Sequence, residues 1–219
     1  MDEINEYICD QIVSLKNRLI MKRISLAMLF ACCMLAMMAQ YSFKVNYKGA
    51  KPTITDMAWA YCNFMDDPNE PGDKPSNAIL QALIQYRNGL PQYDDDVTFV
   101  VDEKNGYILY EYKHDTGVTR MEMCYWNEAD GKHKLFAFNN MASIVDDEPL
   151  STETTGMTFC RYNNATKKMT LCDPPGFEID YQCVYALPRT GKSITVTKFL
   201  KNGQTTKKTL KWNGKRFSY

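Results

Sequence analysis

Beyond residue 96 the chain alternates apolar and polar residues at period two, in short runs separated by clusters of Gly, Asn, Asp and Lys. That rhythm predicts half-buried strands joined by tight turns. "VTFVVDEKNGYILYEYK" reads as a hairpin, with Asn105-Gly106 suited to a type I′ turn. "VTRMEMCYW", "KLFAF", "GMTFCRY", "KMTLC", "YQCVYAL", "SITVTKFL" and "KKTLKW" follow, and "NGK" returns the chain to "RFSY". Earlier the rhythm differs. Tyr41, Phe43, Val45 and Tyr47 alternate as in a strand. Met57, Ala60, Tyr61, Phe64 and Met65 then recur at helical spacing, with Thr53 and Asp56 placed as a capping box. A Pro- and acid-rich loop, "DDPNEPGDKP", precedes a second apolar stripe of Ile79, Leu80, Leu83 and Ile84, which Ser76 can cap and Gly89 can end. The pattern predicts an α+β fold. A helical hairpin, residues 54–65 and 76–88, packs on one long antiparallel β-meander over 97–219, in a curled sheet or open barrel.

Residues 21–39 follow a different rule. Met21, Lys22 and Arg23 form a basic start, Ile24 to Met38 is almost wholly apolar, and Ala36 and Ala39 precede Gln40. This is the layout of a secretory signal peptide. The apolar run of about fifteen residues is shorter than the roughly twenty that span a bilayer as a helix. Cleavage after Ala39 is expected. An uncleaved anchor, or a lipid on Cys32 at the lipobox-like "LFAC", are the alternatives that would tether the chain to a membrane. Residues 1–20 are acidic where such a signal should be basic. They read as an upstream start artefact, against the alternative of an amphipathic helix carrying Ile4, Ile8, Ile12, Leu15 and Leu19. Residues 40–219 are then one exported α+β domain, periplasmic, at the cell surface or secreted.

Charge narrows the partners. The chain has 26 basic and 26 acidic residues and a net charge of +0. A balanced chain lacks the positive field that nucleic acid or an anionic membrane requires. The stretch from Arg189 to Arg216 is nonetheless basic, which a solvated strand face explains as well as a partner does.

The order "NGYILYEY", "MEMCYWNEADGKHKLFAFN", "LPRTGKSITVTKFL", "LKWNGKRF", with the "AQ" signal end, resembles a group of small exported proteins of Bacteroidetes-type bacteria. The resemblance covers roughly 97–219 and the signal. It implies export and no particular activity, since none is established for that group. "YWNEADGKHKLF" and "KWNGKRF" also echo one another, each placing Trp-Asn, Gly-Lys and an aromatic in order.

Candidate chemistry is sparse. Cys160 and Cys172 flank a midpoint at Thr166. A hairpin with a five-residue loop there would oppose them at the spacing a disulfide needs. The alternative is two reduced, buried thiols. Cys62, Cys124 and Cys183 have no assignable partner. No CxxC, Gly-x-Ser-x-Gly or phosphate-loop motif occurs, and neither metal nor cofactor is expected. The acidic clusters at 66–73, 94–96 and 146–148 read as solvated loops. Tyr107, Tyr110, Tyr112, Tyr125 and Trp126 form either core or an exposed face for stacking on sugars or packing on protein. The leading reading is a non-catalytic exported binding or interaction module for a protein or glycan. One alternative is a carboxylate-dependent hydrolase of cell-wall or dietary polymer, pairing an acid of 94–96 with Glu122 or Glu111. Another is a structural subunit of a surface assembly.

Overall fold

The computed structural model describes residues 41–65, 75–92, 94–115, 117–145, 148–149, 156–180, 182–200 and 204–219. The expected signal peptide, start artefact and Cys32 lipid site, and the acidic clusters at 66–73 and 146–147, lie outside these residues. Phe43–Tyr219 forms one compact unit.

β1 (Ser42–Lys44) leads through a loop to helices α1 (Ile54–Met65) and α2 (Pro75–Arg87). Strands β2 (Val97–Asp102), β3 (Tyr107–His114), β4 (Gly117–Asn127), β5 (His133–Val145), β6 (Glu148–Pro149), β7 (Gly156–Asn163) and β8 (Lys168–Leu171) follow. β9 (Cys183–Ala186), β10 (Ser193–Phe199), β11 (Thr205–Trp212) and β12 (Phe217–Ser218) close the chain. The larger sheet runs β1-β8-β7-β5-β4-β3-β2, with β6 beside β5. The smaller runs β12-β11-β10-β9.

This corrects the α+β expectation of one long meander. The molecule is mostly β, its strands divide between two antiparallel sheets, and neither sheet closes into a barrel. The reason lies in the larger sheet's own sequence. Ile108, Tyr110, Met121, Met123, Phe136, Phe138, Cys160 and Tyr162 face one way, into a core with Ile54, Met57, Tyr61, Ile79 and Leu83 of the helices. Their strand neighbours Tyr107, Cys124, Trp126, Leu135, Ala137 and Phe159 face the other way, into a core with Tyr185, Ile194, Val196, Leu210, Trp212 and Phe217 of the smaller sheet. A sheet apolar on both faces needs a cover on both. The helices cover one and β9–β12 fold back over the other.

Local signals place the helices. Thr53 and Asp56 form the capping box, with Thr53 N–H donating to Asp56 Oδ2 (3.0 Å) and Asp56 N–H to Thr53 Oγ1 (3.3 Å). Glu103, in the β2–β3 turn, accepts from Ile54 N–H (3.2 Å) and Thr55 Oγ1 (2.6 Å), which fixes the start of α1 over the larger sheet. α2 begins at Pro75 rather than after a Ser76 cap, and Ser76 is buried inside its first turn. Gly89 ends it at φ +64, with Leu90 N–H donating to Gln85 O (2.9 Å).

The β2–β3 turn differs from the expected type I′. Asp102 pairs with Tyr107, leaving four loop residues, and only Gly106 takes a positive φ. Asp102 holds the turn by accepting from Asn105 N–H (3.1 Å) and Asn105 Nδ2 (2.9 Å).

Candidate functional site

A cleft of about 490 Å³ opens beside the β4–β5 hairpin, lined by Tyr47, Ala50, Lys51, Pro52, Asn127, Gly131, His133, Lys134 and Asn164. One wall is the loop that carries the chain from β1 into α1. The other is the end of β4, the turn after it, the start of β5 and the β7–β8 turn. Lys134 has the same phase as Phe136 and Phe138, so it faces the helix side of the sheet. It is 8% exposed. Its ammonium donates to Asn127 Oδ1 (2.7 Å) and stands 4.1 Å from the centre of the Tyr125 ring. Burial pulls its pKa down, and the positive charge of Lys51 pulls it down further. Among the described residues no carboxylate pairs with either lysine. Lys167 lies over the Tyr47 ring at 5.0 Å, and Tyr162 Oη donates to Tyr47 Oη (3.3 Å).

The nearby acids are otherwise engaged. Arg161 reaches Glu128 with Nε (2.8 Å) and Nη2 (2.5 Å), and Asp130 with Nη2 (3.5 Å). Asp130 also accepts from His133 Nδ1 (2.5 Å) and from the Lys132 and His133 N–H groups, which holds its carboxyl at about 2. Asn163 Oδ1 accepts from Ala165 and Thr166 N–H, so its amide nitrogen is the group turned to His133 Nε2 (3.0 Å). Nε2 therefore accepts and Nδ1 carries the hydrogen. Both imidazole nitrogens thus have hydrogen-bond partners. Glu128, Asp130 and His133 place one ligand atom each within 4.8 Å of one another, a spacing that suits a cation, with the Arg161 guanidinium already against the two carboxylates.

The residues singled out from the sequence lie elsewhere. Cys160 and Cys172 are free thiols, as are Cys62, Cys124 and Cys183. This corrects the disulfide expectation. The hairpin pairs Asn163 with Lys168 and Cys160 with Leu171, one residue out of the register a bridge needs. A one-residue offset sends the two side chains to opposite faces. Cys160 enters the helix-side core, while Cys172 packs against the core between the sheets.

The five aromatic residues do not share a face. Tyr107 and Trp126 are buried between the sheets, Tyr110 is buried on the helix side, and Tyr112 and Tyr125 pack half-buried against the helix-side core. The candidate hydrolase carboxylates lie in different settings. Glu122 is buried, accepting from Tyr107 Oη (2.8 Å), Asn139 Nδ2 (3.1 Å) and Leu187 N–H (2.9 Å). Glu111 pairs with Arg120 (3.3 Å), and Asp94, Asp95 and Asp96 are exposed ahead of β2.

The cleft residues Lys51, Asn127, Lys134 and Asn164 are ones that sequence reasoning missed. The echo of Trp-Asn and Gly-Lys pointed close by. The two echoed turns dock on one another, with Ala129 N–H donating to Gly214 O (2.8 Å) and Trp212 Nε1 to Asn127 O (3.4 Å). They belong to different sheets, not to one repeated array.

Comparison of the chain with protein-family models, with curated proteins and with solved structures returned no match.

Proposed function

We propose that this protein is an exported, non-catalytic binding module whose ligand enters the cleft between the 47–52 loop and the β4–β5 hairpin. The observation that carries the reading is the chemistry of that lining. It offers two ammonium groups, asparagine amides and a tyrosine ring, and its one imidazole has both nitrogens engaged. Such a wall holds and orients a ligand through charge and hydrogen bonds.

Export rests on the pattern at residues 21–39. Burial pushes Cys62 up to about 12, and Cys172 and Cys183 to about 11, so little thiolate forms to react in an oxidising compartment. No helix among the described residues is long and apolar enough to cross a membrane. A glycan suits a cleft of this volume better than a protein partner, which needs a broader surface.

The test incubates the full chain with cell-wall and dietary polysaccharides and measures both retention and release of reducing ends. The reading expects retention without release, and recovery of the protein from the exported fraction of its host. Release of reducing ends would replace it with the hydrolase. Co-purification in fixed ratio with another chain, with no polymer retained, would replace it with the structural subunit.

A further inference from the structure

The positive charge of the cleft defines its ligand more narrowly, on the reading that the cleft is the binding site. Lys134 is more than nine-tenths buried, and its single hydrogen bond to a neutral amide leaves two ammonium hydrogens without an acceptor among the described residues. A buried charge is ordinarily paired. The Tyr125 ring compensates part of the cost and the asparagine a further part. A second lysine at the same cleft adds repulsion. Of the nearby acids, Glu128 is held by Arg161, and Asp130 chiefly by His133 and two backbone N–H groups. Arg161 is the cross-strand partner of Leu135, which faces the smaller sheet, whereas Lys134 faces the helices. The Glu128 carboxylate is thus drawn toward the far side of the hairpin.

We propose that the cleft binds an acidic sugar, its carboxylate or phosphate seated between Lys51 and Lys134 and its hydroxyls met by Asn127 and Asn164. An incoming anion supplies the charge that the protein leaves out, and beside the buried Lys134 the attraction is screened less than at an open surface. Asn127 gives its carbonyl to Lys134 and Asn164 gives its amide nitrogen to Gly131 O (3.2 Å). One amide donor and one amide acceptor therefore remain, the pair a sugar hydroxyl uses. Lysines, as point charges, accept either anion, whereas a planar guanidinium fork would favour bidentate oxygens.

Amide-resolved NMR titration of the full chain at low salt tests this, with D-glucuronate, glucose 6-phosphate and neutral glucose as probes. At least one acidic sugar should shift the amides of Lys51, Gly131, Lys134 and Asn164 with saturable, millimolar affinity, and glucose should not. Glucuronate alone would identify the carboxylated source, and the phosphate ester alone the other. Lys51→Met, on the loop before α1, should weaken the acidic sugar about tenfold with the spectrum elsewhere unchanged. Lys134→Gln should do the same if it remains folded, and Lys51→Met decides the matter if it does not.

Equal shifts with glucose, or unchanged affinity in Lys51→Met, overturn the charge argument while leaving the cleft as a binding site. No shift at the cleft with any probe overturns the acidic-sugar inference. If polysaccharide retention also fails, the binding-module reading falls with it.

Discussion

Gly106 shows how one backbone position reaches the cleft. It turns from β2 into β3 at φ +67, and a Cβ there would lie 2.6 Å from the Tyr125 ring. Tyr125 is the ring on which Lys134 rests. Gly106→Ala should therefore cost about 1–3 kcal/mol, from left-handed strain and the displaced ring together. Chemical denaturation reads that loss, and the Lys134 amide should shift in the same variant. The thiols make a second prediction at this scale. Burial raises all five, with like charges adding to the effect at Cys124, Cys160 and Cys172. In the native protein the five should alkylate slowly, with Cys172, the one half-buried among them, the first to react. All five should react on denaturation. A proteolytic fragment joining Cys160 to Cys172 would contradict the observed register.

At the scale of elements, legibility followed the range of the interactions. α1 was readable because its cap, Thr53 with Asp56, lies within one turn, and α2 because Gly89 ends it locally. The division into two sheets was not readable, because it depends on which face each apolar residue takes. A strand such as "KLFAF" looks alike whether one face is covered or both. The cysteine register failed for want of one residue in a turn, where Lys167 takes φ 56 and closes a four-residue loop. Lys134 did leave a trace. It occupies an inward phase of β5, where an ordinary strand carries an apolar side chain.

Glu122 left a similar trace in the middle of "MEMC", and its role is to join elements. From β4 it binds Tyr107 of β3, Asn139 of β5 and Leu187 beyond β9, while Asn139 also donates to Tyr185 O (2.6 Å). Glu122→Ala would leave buried donors unpaired and should cost on the order of 3 kcal/mol, against about 1–3 kcal/mol for Tyr107→Phe. Both are measurable as a fall in denaturation midpoint at unchanged slope.

For Phe43–Tyr219 as a whole, the two sheets are held by the apolar layer between them and by polar ties at its margin. Phe217 is at the centre of that layer, its ring 4.9 Å from Trp212, 5.6 Å from Trp126 and 5.9 Å from Phe159. At the margin, Asp102 at the end of edge strand β2 accepts from Arg189 Nε (2.9 Å) in the β9–β10 turn. Hydrogen bonds from the Asn105 side chain, then from Arg189, hold the Asp102 carboxyl at about 2, below its ordinary 3.8. A carboxyl depressed on folding binds fewer protons in the native state than in the unfolded one. It therefore adds stability above its unfolded pKa and surrenders it as pH falls toward the folded value. Asp130, held down chiefly by His133, works in the same sense. Stability should change little through these two groups from neutral pH down to about 4, then decline between about 4 and about 2. Asp102→Asn should flatten that decline. Because Trp126 and Trp212 both lie between the sheets, their fluorescence reports the event directly. A red shift that follows the acid limb in the parent chain, and begins at higher pH in Arg189→Gln, would show that the Asp102 tie helps hold the smaller sheet on the larger.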